Sequence, residues 1–301
     1  MHWLIIVLAG HFLNALAFLM DKFLLTKKVT SPFVYAFFIG VMGGVAVLLI
    51  PFGFTVPDWP AVALALSGGA TFVLALIFFF AALKQNEASR VVPLSGGLVP
   101  GFTIIFAYFL LGERLALQQL IAFAALVVGG ILITIETNQQ PKKQASSNRG
   151  YLWALVSAII FALSSVIMKI VFNEQAFISG FVWSRIGGFL AALLILLIPA
   201  QRYQIFHQPK AKRAGKTALL FFMGQAAGAL GYIILAYAIS LASVSLVNAM
   251  QGVQYALLLV IIAVLSRKFP QILSEKLTGR VLAQKIIAII LITLGIGLIA
   301  W

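Results

Sequence analysis

Polar side chains inside long apolar runs are the residues of this chain that could do chemistry, and they are few. His11, Asn14, Phe18 and Asp21 fall at i, i+3, i+7 and i+10, which puts them on one helical face. At membrane depth an unpaired polar group is expensive and faces a bundle interior or an aqueous cavity. His11 and Asn14 therefore either line a solute path, with His11 able to titrate, or bond a neighbouring helix and hold packing. Phe18 reads as packing, and Asp21 beside Lys22 as a surface ion pair. A second face carries Asn248, Gln251 and Tyr255 at i, i+3 and i+7, with Gln254 adjacent. Such a density of hydrogen-bonding groups is hard to turn toward lipid, so it contacts substrate or packs polar against polar. Gln225 and Tyr232, two turns apart on one face, have the same reach. Arg185 is the one base well inside an apolar run. It holds an anionic group by a bidentate contact, or it pairs with a lipid headgroup or an intra-bundle partner. Ser164 and Ser165 give hydroxyls to a cavity or to their own helix backbone.

Other chemistries are excluded by what is missing. The chain has no cysteine, and its three histidines, His2, His11 and His207, are dispersed, so no helix-paired metal site forms. Acids are too few and too peripheral for a paired-carboxylate site. Gly215-Lys216-Thr217 imitates the end of a phosphate loop, but Lys210 stands where its first glycine belongs. The expectation is no enzyme, no cofactor and no metal.

The 301 residues are 62% hydrophobic and 9% charged, against roughly a quarter charged for a soluble domain. The solvent must largely be lipid. A net charge of +14 would point to nucleic acid in a soluble protein. Here the bases sit in the connections, with no aromatic interleaving, so nucleic-acid binding is not expected. The first apolar run lacks a cationic leader and reads as a retained span. Runs of about 20 residues mark spans at Trp3–Leu24, Pro32–Phe54, Pro60–Leu83, Ala88–Leu111, Leu117–Ile135, Tyr151–Phe172, Phe177–Pro199, Thr217–Ile239, Ser243–Ser266 and Val281–Trp301. No strand-like alternation competes. The fold class is an all-α membrane protein of about ten transmembrane helices.

The ten spans are two copies of five. Ser31-Pro32-Phe33-Val34-Tyr35 is answered by Ser179-Gly180-Phe181-Val182-Trp183, and Leu48-Leu49-Ile50-Pro51 by Leu196-Leu197-Ile198-Pro199. Ala88-Ser89 is answered by Ala242-Ser243, and Glu113-Arg114-Leu115 by Glu275-Lys276-Leu277. An odd number of spans per copy forces opposite orientations. Lys27-Lys28 follows the first span while its counterpart Asn173–Ala176 has no base. Pro51–Trp59 is base-free, while its counterpart Gln201–Lys216 is the most basic loop. That reversal is expected of inverted repeats. The organisation is residues 1–135 as the first repeat, 136–149 as a cytoplasmic linker and 150–301 as the second repeat, with both termini outside.

In the fourth span Pro93 and Pro100 each remove a helix hydrogen bond, tolerable only against protein or a wet cavity. With Gly97 and Gly101 they suggest a gating hinge, although close packing alone would account for the glycines. Gly40/Gly44 and Gly224/Gly228 have the small-xxx-small spacing of helix contacts.

Ala81-Ala82-Leu83, Ala88-Ser89-Arg90-Val91-Val92-Pro93-Leu94, Pro100, Leu110-Leu111-Gly112-Glu113-Arg114-Leu115, Gln119 and Gly129-Gly130 form one set of motifs. In them the chain resembles the EamA-like transporters of the drug/metabolite transporter superfamily. A decayed second copy reads Ala236-Tyr237-Ala238, Ala242-Ser243, Glu275-Lys276-Leu277, Gln284 and Gly295, with Gln254 in place of Pro100. The resemblance implies a ten-helix alternating-access carrier with a central cavity lined by both halves. The expected activity is secondary transport of a small polar metabolite, amino acid-like or related, across a prokaryotic inner membrane by a monomer. Export of amphipathic drugs or lipid-linked head groups, or a scaffold that moves nothing, are the other readings.

Overall fold

The computed structural model describes residues 2–24, 31–86, 88–135, 147–207, 215–265 and 279–301. Linker residues 136–146, the Glu275-Lys276-Leu277 match and the loop bases Lys27, Lys28, Lys210, Lys212, Arg213, Arg267 and Lys268 lie outside them. The chain is all-helical, with no strand among the described residues. In order come α1 (His2–Leu24), α2 (Pro32–Gly43) continued by a 3-10 segment (Gly44–Phe52), α3 (Trp59–Gln85), α4 (Ala88–Leu111) and α5 (Leu117–Thr134). Then follow α6 (Asn148–Glu174), α7 (Phe177–Ile195), the short α8 (Pro199–Phe206), α9 (Gly215–Leu241), α10 (Val244–Ala249), α11 (Gln251–Leu265) and α12 (Gly279–Ala300). They supply ten spans long and apolar enough to cross a membrane, so the protein is a multi-pass membrane protein.

Local chemistry sets the ends. Pro32, Pro60 and Pro199 stand in first turns, where a missing N–H costs nothing. Ser243 caps α10 by accepting the Leu246 N–H at 3.1 Å. The turn after α4 closes on Gly112 at φ +65°, which a side chain would strain, and the Glu113 N–H reaches back to the Ala107 carbonyl. The ninth span, Val244–Leu265, is present as expected, with its helix interrupted at the single residue Met250.

Two compact units emerge, and each draws helices from both sequence halves. The first holds α1, α5 and α9–α12. Its core includes Val7, Leu126, Val247, Met250, Val253 and Ile292. In lipid the gain from such a core is close packing rather than escape from water. α1 lies on α9 through small residues: Gly10 faces Leu235 and Gly231, while Gly228 and Gly224 admit Ala17 and Met20. Rising along α1 means descending α9, so the pair is antiparallel.

α5 and α12 make the most informative pair in this unit. Gln118 Nε2 donates to the Leu298 carbonyl at 2.6 Å, and Gln284 Nε2 donates to the Leu132 carbonyl at 2.6 Å. Gly129 sits against Ile292 and the Ala288 carbonyl, and Gly295 against Leu126 and the Ala122 carbonyl. Each of these contacts has a mirror at one constant sequence offset, and the order runs antiparallel. That is an isologous, two-fold contact between the fifth and tenth spans, and it turns one against the other. The equivalent of Gln284 is therefore Gln118. Gln119, which the motif comparison matched to it, instead accepts the Ala116 N–H at 2.9 Å.

The second unit holds α2–α4 and α6–α8. Here α2 and α7 also pack antiparallel: Gly40 meets Gly188 and Ala192, and Gly43 meets Arg185. Ser31, at the head of α2, donates to Gln201 Oε1 beyond α7. Ser179 in the first turn of α7 accepts the Thr55 N–H beyond α2. Backbones approach closely where α3 crosses α7, and a Cβ on Gly69 or Gly187 would strike the Ser184 or Leu66 carbonyl. Ser157 and Ser164 of α6 donate across to the Ala75 and Gly68 carbonyls of α3 at 3.0 and 2.9 Å. Ser164 thus serves an interhelical bond, rather than a cavity or its own backbone. Asn86 pairs with both the N–H and the carbonyl of Ser147, tying the head of α6 to the end of α3.

Candidate functional site

The α1 face forms as a face and meets two different helices of its unit. His11 is 4% exposed, and neither ring nitrogen has a hydrogen-bond partner. Gln254, on the first turn of α11 and 6% exposed, lies within interaction range of the imidazole without reaching bonding geometry. Asn14 turns instead to α9, where its Oδ1 rests against Gly231 at a point no side chain could share. Phe18 meets the Tyr255 ring edge-to-face, with centroids 6.5 Å apart. One turn after another, α1 therefore presents an imidazole, an amide and a ring to partners of matching kind.

The rest of the polar set in this unit is half-buried. Tyr232 follows Gly231 directly, and Gln225 lies two turns earlier on α9. Asn248 and Gln251 flank the interruption at Met250, and Tyr255 stands one turn further along α11. Around the break the Met250 N–H goes to the Leu246 and Val247 carbonyls, and the Val253 N–H returns to the Met250 carbonyl at 2.9 Å. Gln251 and Gly252 then open α11, where the first amides of a helix have no intrahelical acceptor. Gly252 passes the backbone of Gly130 on α5 so closely that a Cβ would lie 2.6 Å from the Gly130 Cα.

Arg185 belongs to the other unit. Its guanidinium carbon stands 5.0 Å from the Phe72 centroid and 5.6 Å from the Phe181 centroid. The aromatic faces of α3 and α7 thus offset the charge, an interaction of about 0.5–2 kcal/mol. α4 is also in this unit and runs unbroken through Pro93 and Pro100, both buried. Gly97 and Gly101 are half-buried beside them. A Cβ at Gly96 or Gly101 would meet nothing within 4 Å, so close packing does not account for those two glycines.

Sequence reasoning missed several of these features. The Asn86–Ser147 clasp and the Ser157 bond join residues far apart in the chain, and no local pattern announces them. Ser95 and Ser245 are buried with unpartnered hydroxyls. The signal at Met250 is faint, because neither proline nor glycine marks it. Among the described residues no group of His, Cys, Asp or Glu is arranged to hold a metal.

Residues 1–135 match the model of the EamA-like transporter family. A solved crystal structure, described only as that of a protein, superposes with a TM-score of 0.67 at 19% identity, covering 99% of this chain and 96% of that one. At that identity the likeness concerns the fold. No curated protein matches the chain in sequence.

Proposed function

Because residues 1–135 match the model of the EamA-like transporter family, we propose that the chain is a secondary carrier of a small polar metabolite, an amino acid or a related compound. The match supports the coarse statement, a transporter of small substrates. The finer reading is supported above all by one observation: hydrogen-bonding side chains are carried on helices of one apolar unit, with His11 beside Gln254 and Asn14 against Gly231. His11, Asn14, Gln225, Tyr232, Asn248, Gln251, Gln254 and Tyr255 contact the solute in this proposal. Pro93, Gly97, Pro100 and Gly101 supply the gating segment. Arg185, beside Phe72 and Phe181, contacts an anionic group of the solute in this proposal. The carrier works as a monomer in a prokaryotic inner membrane, with residues 1–135 and 150–301 as inverted repeats, the linker 136–149 cytoplasmic and both termini outside.

The reciprocal contacts of α5 with α12 and the antiparallel packing of α2 with α7 support the inverted arrangement, because alternating access rocks such repeats about a fixed site. The purified chain in proteoliposomes, preloaded with unlabelled solute and offered radiolabelled amino acids and related metabolites, tests the proposal. Saturable uptake stimulated by internal solute is the expected result. Leakage no greater than in empty liposomes across the panel would overturn it.

A further inference from the structure

The first turn of α11 carries an inference about which solute group the carrier grips. It has four parts, all within one unit. The ninth span is interrupted, so a helix begins inside an apolar run with Gln251 and Gly252 amides lacking an intrahelical acceptor. The N-terminal end of a helix carries a partial positive charge of about half an electron, and it favours anions. His11 reaches this turn at Gln254 and is 96% buried by its 4% exposure, with both ring nitrogens unpartnered. A neutral imidazole always has one N–H to donate, and a buried donor left unsatisfied destabilises the fold. Finally, none of the described side chains of α1, α9, α10 and α11 is charged.

We propose that the first turn of α11, with His11 as its buried wall, is the subsite for a carboxylate of the solute. His11 and Gln254 form the closed side, while the half-buried Asn248, Gln251 and Tyr255 mark the side from which a solute enters. A single negative charge matches what one helix end and neutral donors can hold. A doubly charged phosphate would call for a cation, and the described side chains of these helices provide none. The fourth span has no counterpart, because α4 is continuous at the equivalent position. The site is therefore singular, as an asymmetric solute requires. This inference rests on the carrier reading of the same residues.

The test measures binding apart from transport. The full chain in detergent is titrated with L-α-amino acids and short 2-hydroxy acids, each beside its primary amide, and thermal unfolding is followed. At least one acid should stabilise the protein with a half-saturating concentration tenfold or more below that of its amide. His11→Ala should weaken the acid to the level of the amide while leaving the amide unchanged. His11→Gln, which keeps a donor and guards against a misfolded alanine variant, should retain most of the preference. Equal affinity for acid and amide, stabilisation by no acid, or an unchanged preference in folded His11→Ala would each overturn the subsite. Flux of an uncharged solute would then leave the carrier reading standing. Acid-selective binding without flux of any bound acid would keep the subsite and remove the carrier.

Discussion

α4 and the α10–α11 pair occupy the same place in the two sequence copies, yet they treat their backbones in opposite ways. α4 contains two prolines and stays a single helix from Ala88 to Leu111. The ninth span contains no proline and breaks at Met250. A proline deprives the carbonyl four residues back of its donor and crowds it. For Pro100 that residue is Gly96, which has no side chain and open space around it, so its carbonyl has room to tilt. In the ninth span Gly252 is pressed against Gly130 of α5, and Met250 is fully buried in the core. Proline alone does not decide where a helix is interrupted.

The largest effect should come from refilling the tight crossing. Gly252→Leu forces a side chain into the Gly130 backbone and should cost more than about 4 kcal/mol, read as loss of a monodisperse peak and of cooperative unfolding. Gly96→Leu, in open space, should leave both intact. Similar behaviour of the two variants would erase the contrast.

A smaller and symmetric effect is expected at the two-fold contact. Gln118→Ala and Gln284→Ala each remove one hydrogen bond to a facing carbonyl, and each should lower stability by about 1 kcal/mol. Because Gln284 Nε2 also reaches the Ile135 carbonyl at 2.9 Å, its loss should be slightly the greater. A null effect at one site with a large effect at the other would break the reciprocity.

The smallest effects sharpen the gating proposal. Gly96→Ala and Gly101→Ala fit without displacement, and each should raise the thermal midpoint by about 0.5–1 kcal/mol of stability. If the thinness of α4 is used in gating, flux falls while stability rises. Unchanged flux in both variants would confine these glycines to accommodating the prolines.

The sequence made the long-range plan readable because lipid demands it. Ten apolar runs of bilayer length leave little choice but helices, and the paired motifs Ser31/Ser179 and Pro51/Pro199 exposed the duplication. Reciprocal bonds at Ser31 and Ser179 then proved part of the same symmetry. The face of His11, Asn14 and Phe18 was legible from its 3.6-residue period. Which helix each side chain meets was not legible, because Asn14 turns to α9 while His11 and Phe18 turn to α11. The ring partners of Arg185, Phe72 and Phe181, were not legible either, because the pairing depends on how α3 crosses α7. The interruption at Met250 was not legible because neither proline nor glycine stands there.

Solute flux through proteoliposomes bearing Gln251→Ala or Asn248→Ala, beside wild type at equal protein density, tests the account most directly. Both variants should unfold at the wild-type temperature within a few degrees and lose at least nine-tenths of the flux. Wild-type flux in both would contradict the account, since the polar face around the broken ninth span would then have no part in moving solute.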